Sequence, residues 1–140
     1  GCEPKKGLVV DIKSAAKKIE ELSNKYELKV DPHAKIEDIT VGMQQRVEIL
    51  KMLFRDNNVL IFDEPTSGLD YDSMIQVAGL FQTLSKMGKV IFVVTHDYEF
   101  LAAACTRVIH LDNGKQQEDY PLSPDNLHRL RDFFLRSERR

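Results

Sequence analysis

An α/β fold, with parallel strands flanked by helices and followed by a β-hairpin and a last helix, is what this 140-residue sequence predicts. Three observations predict it. Val59-Leu60-Ile61-Phe62 and Val90-Ile91-Phe92-Val93-Val94 are wholly apolar runs, the habit of strands buried on both faces. The residues between them have helical spacing, so strand, helix and strand form a βαβ unit whose strands run parallel and end at one edge. Asn113-Gly114 between two extended runs is a strong hairpin signal.

Residues 1–10 show no clear periodicity. Over residues 11–28, Ile12, Ala15, Ala16, Ile19, Leu22 and Tyr26 fall on one helical face, with Lys and Glu opposite and Asp11 placed as N-cap. Val30-Asp31-Pro32 breaks that pattern. A second helix is expected from Met43 to about Arg55, with Val47, Leu50, Leu53 and Phe54 inward, ended by Asp56-Asn57-Asn58. After the first strand, residues 71–87 place Ile75, Ala78, Phe81 and Leu84 on one face, and Gly88 stops the helix. A charge at Ile61 or Val93 is expected to abolish cooperative unfolding.

Beyond the second strand come a short helix over residues 98–104 and a hairpin of residues 107–111 and 115–119. Ser123-Pro124 then opens a helix through Leu127, Leu130 and Phe134, and Arg in its last turn suits the negative helix end. The chain reads as a helical segment, residues 1–57, and an α/β segment, residues 58–140, packed as one domain.

The composition, 42% hydrophobic and 30% charged, is that of an ordinary water-soluble globular protein. A net charge of −2 provides no pull toward nucleic acid or an acidic membrane. Cys2 and Cys105 make no disulfide framework and suit a reducing compartment. No apolar run approaches the roughly 18 residues of a membrane span, and no signal peptide is visible. The first residue is not Met, as in a fragment or a processed product.

Parallel strands deliver the residues after them to the edge where ligands bind, here Asp63-Glu64. Two carboxylates there can hold a hydrated Mg²⁺ and orient an attacking water, or simply form a solvated turn. Thr40-Val41-Gly42-Met43 offers a hydroxyl, unpaired N–H groups and a close backbone approach to an anion at a helix start; alternatively Thr40 is only a cap. His96 lies just past the second strand, whereas His33, His110 and His128 lack such context and read as structural or surface residues.

Ile39 to Val47, Val59 to Asp70 and Val90 to Asp97, in that order, resemble three motifs of the ATPase subunit of ATP-binding-cassette (ABC) transporters, a likeness covering roughly residues 8–120. The resemblance implies a partial P-loop-NTPase-like domain that uses ATP and Mg²⁺. Thr40, Val41, Gly42 and Met43 match the signature motif, which contacts the γ-phosphate of ATP held by the opposite subunit. The usual motif has two glycines and a Gln where this chain has Val41-Gly42-Met43, a variant similar to that of sugar and nucleoside importers. Gln44, Gln45 and Arg46 continue the match.

By the same resemblance Asp63 holds Mg²⁺ through water, Glu64 polarises the attacking water, and Ser67, Gly68, Leu69 and Asp70 are the D-loop. Asp70 either reaches across a dimer interface or caps the helix from Tyr71, or does both. His96 matches the switch histidine, expected near Glu64. The implied parent function is coupling ATP hydrolysis to solute import, with a second ATPase subunit and a membrane permease as partners. The implied location is cytoplasmic, peripheral to the inner face of the cell membrane.

A phosphate cradle of the form G-x-x-x-x-G-K-[ST] is absent. Gly1-Cys2-Glu3-Pro4-Lys5-Lys6-Gly7-Leu8 fails the pattern, because no Lys-Ser/Thr comes after Gly7. The chain therefore reads as the C-terminal part of such a domain, binding ATP weakly and inactive alone. Alternatives are a non-catalytic self-associating module and a chimeric scaffold with relic motifs. Residues 8–62 resemble sugar or nucleoside importer ATPases and residues 63–136 energy-coupling-factor importer ATPases, which makes Asp63-Glu64-Pro65-Thr66 the natural junction of a chimera. Without the cradle strand, residues 90–94 form a bare apolar edge, to be covered by the hairpin or by a second copy in a homo-oligomer.

Overall fold

The computed structural model describes residues 5–6, 9–55 and 57–137, which fall into two compact units, Gly1–Val94 and Thr95–Arg140. Cys2, Asp56 and the rejected cradle-like run, apart from Lys5 and Lys6, lie outside the described residues. Among the described residues no helix is long and apolar enough to cross a membrane.

In the first unit, β1 (Lys5–Lys6) pairs antiparallel with β2 (Val9–Val10). α1 (Ile12–Lys25) begins at Asp11, whose carboxylate accepts from the Ser14 amide at 3.2 Å and its hydroxyl at 2.8 Å. The chain then turns back through left-handed Glu27 and Lys29, with φ of 54° and 55°. Buried Ser23 holds that turn: its hydroxyl accepts from the Val30 amide at 2.8 Å and donates to the Val30 carbonyl at 3.3 Å. This seats Leu28 in the core.

α2 (Val41–Phe54) starts two residues before the expected Met43. The cause is the cap: the Thr40 hydroxyl accepts from the Met43 amide at 3.3 Å, so Met43 is the third helical residue. Leu50 and Leu53 are buried as expected and Ile49 joins them, while Val47 and Phe54 are half-buried.

β3 (Val59–Asp63), α3 (Tyr71–Lys86) and β4 (Val90–Val94) form the βαβ unit. The strands are parallel and in register from Val59 opposite Val90 to Asp63 opposite Val94. α3 buries Met74, Val77, Ala78, Phe81 and Leu84, and the Phe62 and Phe81 rings stack at 4.6 Å. Ile75, expected inside, lies at the margin of that stripe and is exposed, as is Ile12 at the first residue of α1. Gly88, with φ of 86°, stops α3 as expected.

The expectation that both strands are buried on both faces is corrected. Leu60 and Phe62 are buried, but Val59, Ile61, Val90, Phe92 and Val94 are exposed, Ile61 to 63%. The sheet has two strands, and only the face carrying Leu60 and Phe62 is buried. The described strands form three separate two-stranded sheets.

In the second unit, α4 (Tyr98–Ala104) is capped by Asp97, which accepts from the Phe100 amide at 3.0 Å. β5 (Arg107–Asp112) and β6 (Lys115–Pro121) make the antiparallel hairpin. Its two turn residues, Asn113 and Gly114, both have positive φ (49° and 71°), the requirement of the tight turn expected there. A 3₁₀ turn over Pro124–Asn126, capped by Ser123, leads into α5 (Leu127–Ser137). Phe100, Tyr120 and Leu130 form the buried part of this unit.

Candidate functional site

Asp63 is the last residue of β3, and its carboxylate is exposed at the strand's C-terminal edge. Glu64 continues the pairing by one step: its amide donates to the Val94 carbonyl at 2.8 Å. Its φ of 46° is left-handed, an unusual conformation for a residue with a β-carbon, and its side chain is half-buried. Pro65 and Thr66 are buried beneath the turn, whose backbone is tied by Ser67 N–H to the Glu64 carbonyl (3.1 Å) and Leu69 N–H to the Thr66 carbonyl (3.0 Å). Gly68 takes φ of 75° with open space around it, so its role is the turn itself.

Asp70 ends this turn and caps α3, accepting from the Ser73 amide at 2.7 Å. That backbone hydrogen bond, with a side-chain bond from Ser73, holds its carboxyl below the ordinary carboxylate value. The capping role read from the sequence is thus present.

At the start of α2, Thr40, Gly42, Met43 and Arg46 line a cavity of ≈ 160 Å³ together with Ser73 and Gln76 of α3. Thr40 uses its oxygen to accept from Met43, and its own O–H is a donor by type, so capping and anion binding draw on different halves of one hydroxyl. Gly42 packs so closely on α3 that a β-carbon there would lie 3.2 Å from the Ser73 Oγ. The Arg46 guanidinium donates to Gln76 Oε1 and, at 3.1 Å, to the Leu28 carbonyl. Gln44, next along, donates to the carbonyls of Ile36 and Ile39, at 3.4 and 3.3 Å.

The structure therefore brings Thr40, Gly42 and Met43 together with the first turns of the helix that Asp70 begins. Val41 is exposed and not part of the cavity lining, nor are Asp63 and Glu64. His96 belongs to the second unit, exposed between Thr95 and Asp97; the Asp97 amide donates to Thr95 Oγ1 at 3.1 Å. Among the described residues no group of three or more His, Cys, Asp or Glu side chains is placed to hold a metal. Cys105 is a free thiol, and burial raises its pKa, which keeps it protonated at neutral pH. Ser73 and Gln76 are the site residues that sequence reading missed. Ser73 carries a faint signal, as the third residue of a helix with an Asp cap; Gln76 carries none.

A family model described as ABC transporter matches residues 4–67. The nucleoside import ATP-binding protein NupA of Lactococcus lactis subsp. cremoris is 40% identical over 135 residues, which is 96% of this chain and 27% of that protein. The guanosine import ATP-binding protein NupO of Bacillus subtilis is 42% identical over 115 residues, 82% of this chain and 22% of that protein. The chain thus spans about a quarter of the length of these curated relatives. NupA aligns on both sides of Asp63-Glu64-Pro65-Thr66, so the alternative of a chimera gains no support from it. Among solved structures, a dimeric post-hydrolysis state of the ATP-binding cassette MJ0796 bound to ADP and Pi matches with TM-score 0.64 and 26% identity over 85% of this chain and 51% of that one. The cassette MJ1267, at 14% identity and TM-score 0.74, covers 93% of this chain and 50% of that one and attests the fold alone.

Proposed function

The chain carries part of an ABC transporter ATP-binding domain, and from that premise we propose that it supplies one portion of a composite ATP site in an importer for nucleosides or sugars. The observation that carries this reading is the parallel β3–β4 pair whose shared edge ends at Asp63 and Glu64. In this reading residues 1–57 are the helical-subdomain segment and residues 58–140 the α/β core segment. Glu64 orients the attacking water and takes its proton, His96 hydrogen-bonds the transferred phosphate, and Ser67, Gly68, Leu69 and Asp70 form the turn that faces a second ATPase subunit. The Thr40 hydroxyl and the amides of Val41 and Gly42, at the start of α2 beside the capped Met43, meet the terminal phosphate of a nucleotide held by that second subunit.

The donor set fits Mg²⁺. Asp63 is a hard oxygen donor at an exposed edge, and a sparse protein set suits an ion that keeps several waters and takes other ligands from phosphates. Asp63 would hold it through water, and the bound ion would supply charge neutralisation at the phosphates. Nucleoside import follows NupA and NupO, and sugar import the variant at Val41-Gly42-Met43, which is similar to that of sugar and nucleoside importers. A membrane permease is the further partner, with the subunit peripheral to the inner face of the membrane.

The 140 residues contain no phosphate cradle, so the reading requires one from elsewhere in the assembly. Isothermal titration of the chain with Mg-ATP is the test. Binding weaker than micromolar and no turnover are expected; micromolar binding with turnover abolished by Glu64→Gln overturns the reading of an incomplete site.

A second reading, self-association, is favoured by the apolar stripe that Val59, Ile61, Val90, Phe92 and Val94 expose on one side of the β3–β4 pair. Sedimentation equilibrium should show a concentration-dependent dimer, and a strict monomer at high concentration rules it out.

A further inference from the structure

Two of the contacts between α2 and α3 rise in step along both helices. Gly42 rests on Ser73, and one turn further along α2 Arg46 donates to Gln76, one turn further along α3. Residues four apart on one helix and three apart on the other lie on single faces, so the two contacts are rungs of one seam. Arg46 anchors a third point, the Leu28 carbonyl in the turn that Ser23 holds. The same Ser73 that meets Gly42 gives its amide to Asp70. Ser73 therefore has the turn at 64–70 on its backbone side and the start of α2 on its side-chain side.

We propose that Ser73 and Gln76 are positioning residues that fix the start of α2 to the turn ending at Asp70, so that Thr40, Gly42 and Met43 move with Asp70 as one body. Glycine suits position 42 because a β-carbon there would lie 3.2 Å from the Ser73 Oγ, and the Ser73 side chain would have to give way by a few tenths of an ångström. Arg46 is required because a guanidinium reaches two acceptors at once from a planar fork; Lys offers one compact charge and cannot span both. The consequence for a nucleotide site rests on the proposed composite ATP site: a phosphate contact at α2 and a subunit contact at Asp70 would be transmitted to each other through this seam.

Amide hydrogen exchange followed by NMR on the whole chain, without nucleotide, tests the joint. The reporters are Met43 and Gln44, whose amides bond to Thr40 Oγ1 and the Thr40 carbonyl, and Ser73 and Met74, whose amides bond to Asp70. Gln76→Ala should speed exchange at Met43 and Gln44 about tenfold, the loss of one hydrogen bond to a charged group. Leu53 and Phe81, deep in the two helices, should be unchanged. Asp70→Ala should speed exchange at Met43 and Gln44 as well as at Ser73, because the coupling is reciprocal. The swapped pair Arg46→Gln with Gln76→Arg should restore only part of the protection, because it remakes the rung to α3 but not the bond to the Leu28 carbonyl.

Unchanged exchange at Met43 and Gln44 in both single variants overturns the proposal. So does a uniform rise that includes Leu53 and Phe81, since that marks general stability rather than a joint. Adding Mg-ATP to the wild-type chain separates the two readings. At millimolar Mg-ATP, where the weak binding expected of this chain still registers, no shift at the Gly42 amide counts against the nucleotide reading and leaves the joint standing, whereas a shift with no Asp70-to-Met43 coupling does the reverse.

Discussion

The amide of Glu64 donates to the carbonyl of Val94 at 2.8 Å, extending the parallel pairing one residue past the end of β3 while Glu64 itself sits at φ 46°. The bond and the backbone twist are linked. Pairing with Val94 keeps the chain on the sheet up to Glu64, and the left-handed twist then takes it off in a single step toward Pro65. A carboxylate at such a point is aimed by backbone geometry, not by its own rotamer alone.

The strain at Glu64 is measurable. A left-handed backbone costs a residue with a β-carbon about 1 kcal/mol, more for a β-branched one, and glycine almost nothing. Urea denaturation should place Glu64→Gly at or above wild-type stability and Glu64→Val below it by about 1–2 kcal/mol. Equal stability of the Gly and Val variants would mean the backbone there relaxes.

Asp70 makes the start of α3 acid-sensitive. Its carboxyl is held below the ordinary value by the Ser73 amide, so the folded chain prefers the charged form more than the unfolded chain does. That stabilisation is fully present above the ordinary carboxylate pKa, about 4, and is lost as pH falls through the lower folded value. Protection of the Ser73 amide, its exchange rate relative to the intrinsic rate at each pH, should fall over that acidic window in the wild type. In Asp70→Asn, which keeps an acceptor without a titrating group, it should be independent of pH there. Asp119, held low by Arg107 in the second unit, titrates in the same direction, which is why a local reporter is needed.

Ser23 is the buried hydroxyl on which the turn after α1 depends. Both halves of it are used on Val30, one accepting and one donating. Ser23→Ala leaves the Val30 amide and carbonyl without those bonds and should cost about 1–3 kcal/mol in urea denaturation. Ser23→Thr, which keeps the hydroxyl but adds a methyl group at a buried position, should recover only part of the loss.

Sequence periodicity read most of the fold because its signals are local. Asp11, Thr40, Asp70, Asn113-Gly114 and Ser123 act within three residues of themselves, and each does in the structure what its type and position imply. Ser23 was not legible, since its partner is seven residues away across two left-handed residues, Glu27 and Lys29. The Arg46–Gln76 seam spans thirty positions and depends on how two helices meet, which no local pattern encodes. Burial of the strands was misread for a related reason: an all-apolar run states what a strand tolerates on each face, while the layers that cover it are set by the rest of the assembly.

That misreading has a direct test in neighbouring residues. Leu60 is 1% exposed and faces the α3 side, whereas Ile61 is 63% exposed on the opposite side of the same strand. A carboxylate at 60 would be buried without a partner, at a cost of several kcal/mol, enough to erase most of a small domain's stability. A carboxylate at 61 would stay in water and lose mainly strand propensity, on the order of 1 kcal/mol. Leu60→Asp should therefore abolish the cooperative transition in thermal circular dichroism, and Ile61→Asp should keep it with a slightly lower midpoint. If the chain self-associates through this face, Ile61→Asp should also convert the dimer to monomer in sedimentation equilibrium while the fold persists. Loss of cooperative unfolding in both variants would instead show that a further layer covers the Ile61 side in solution.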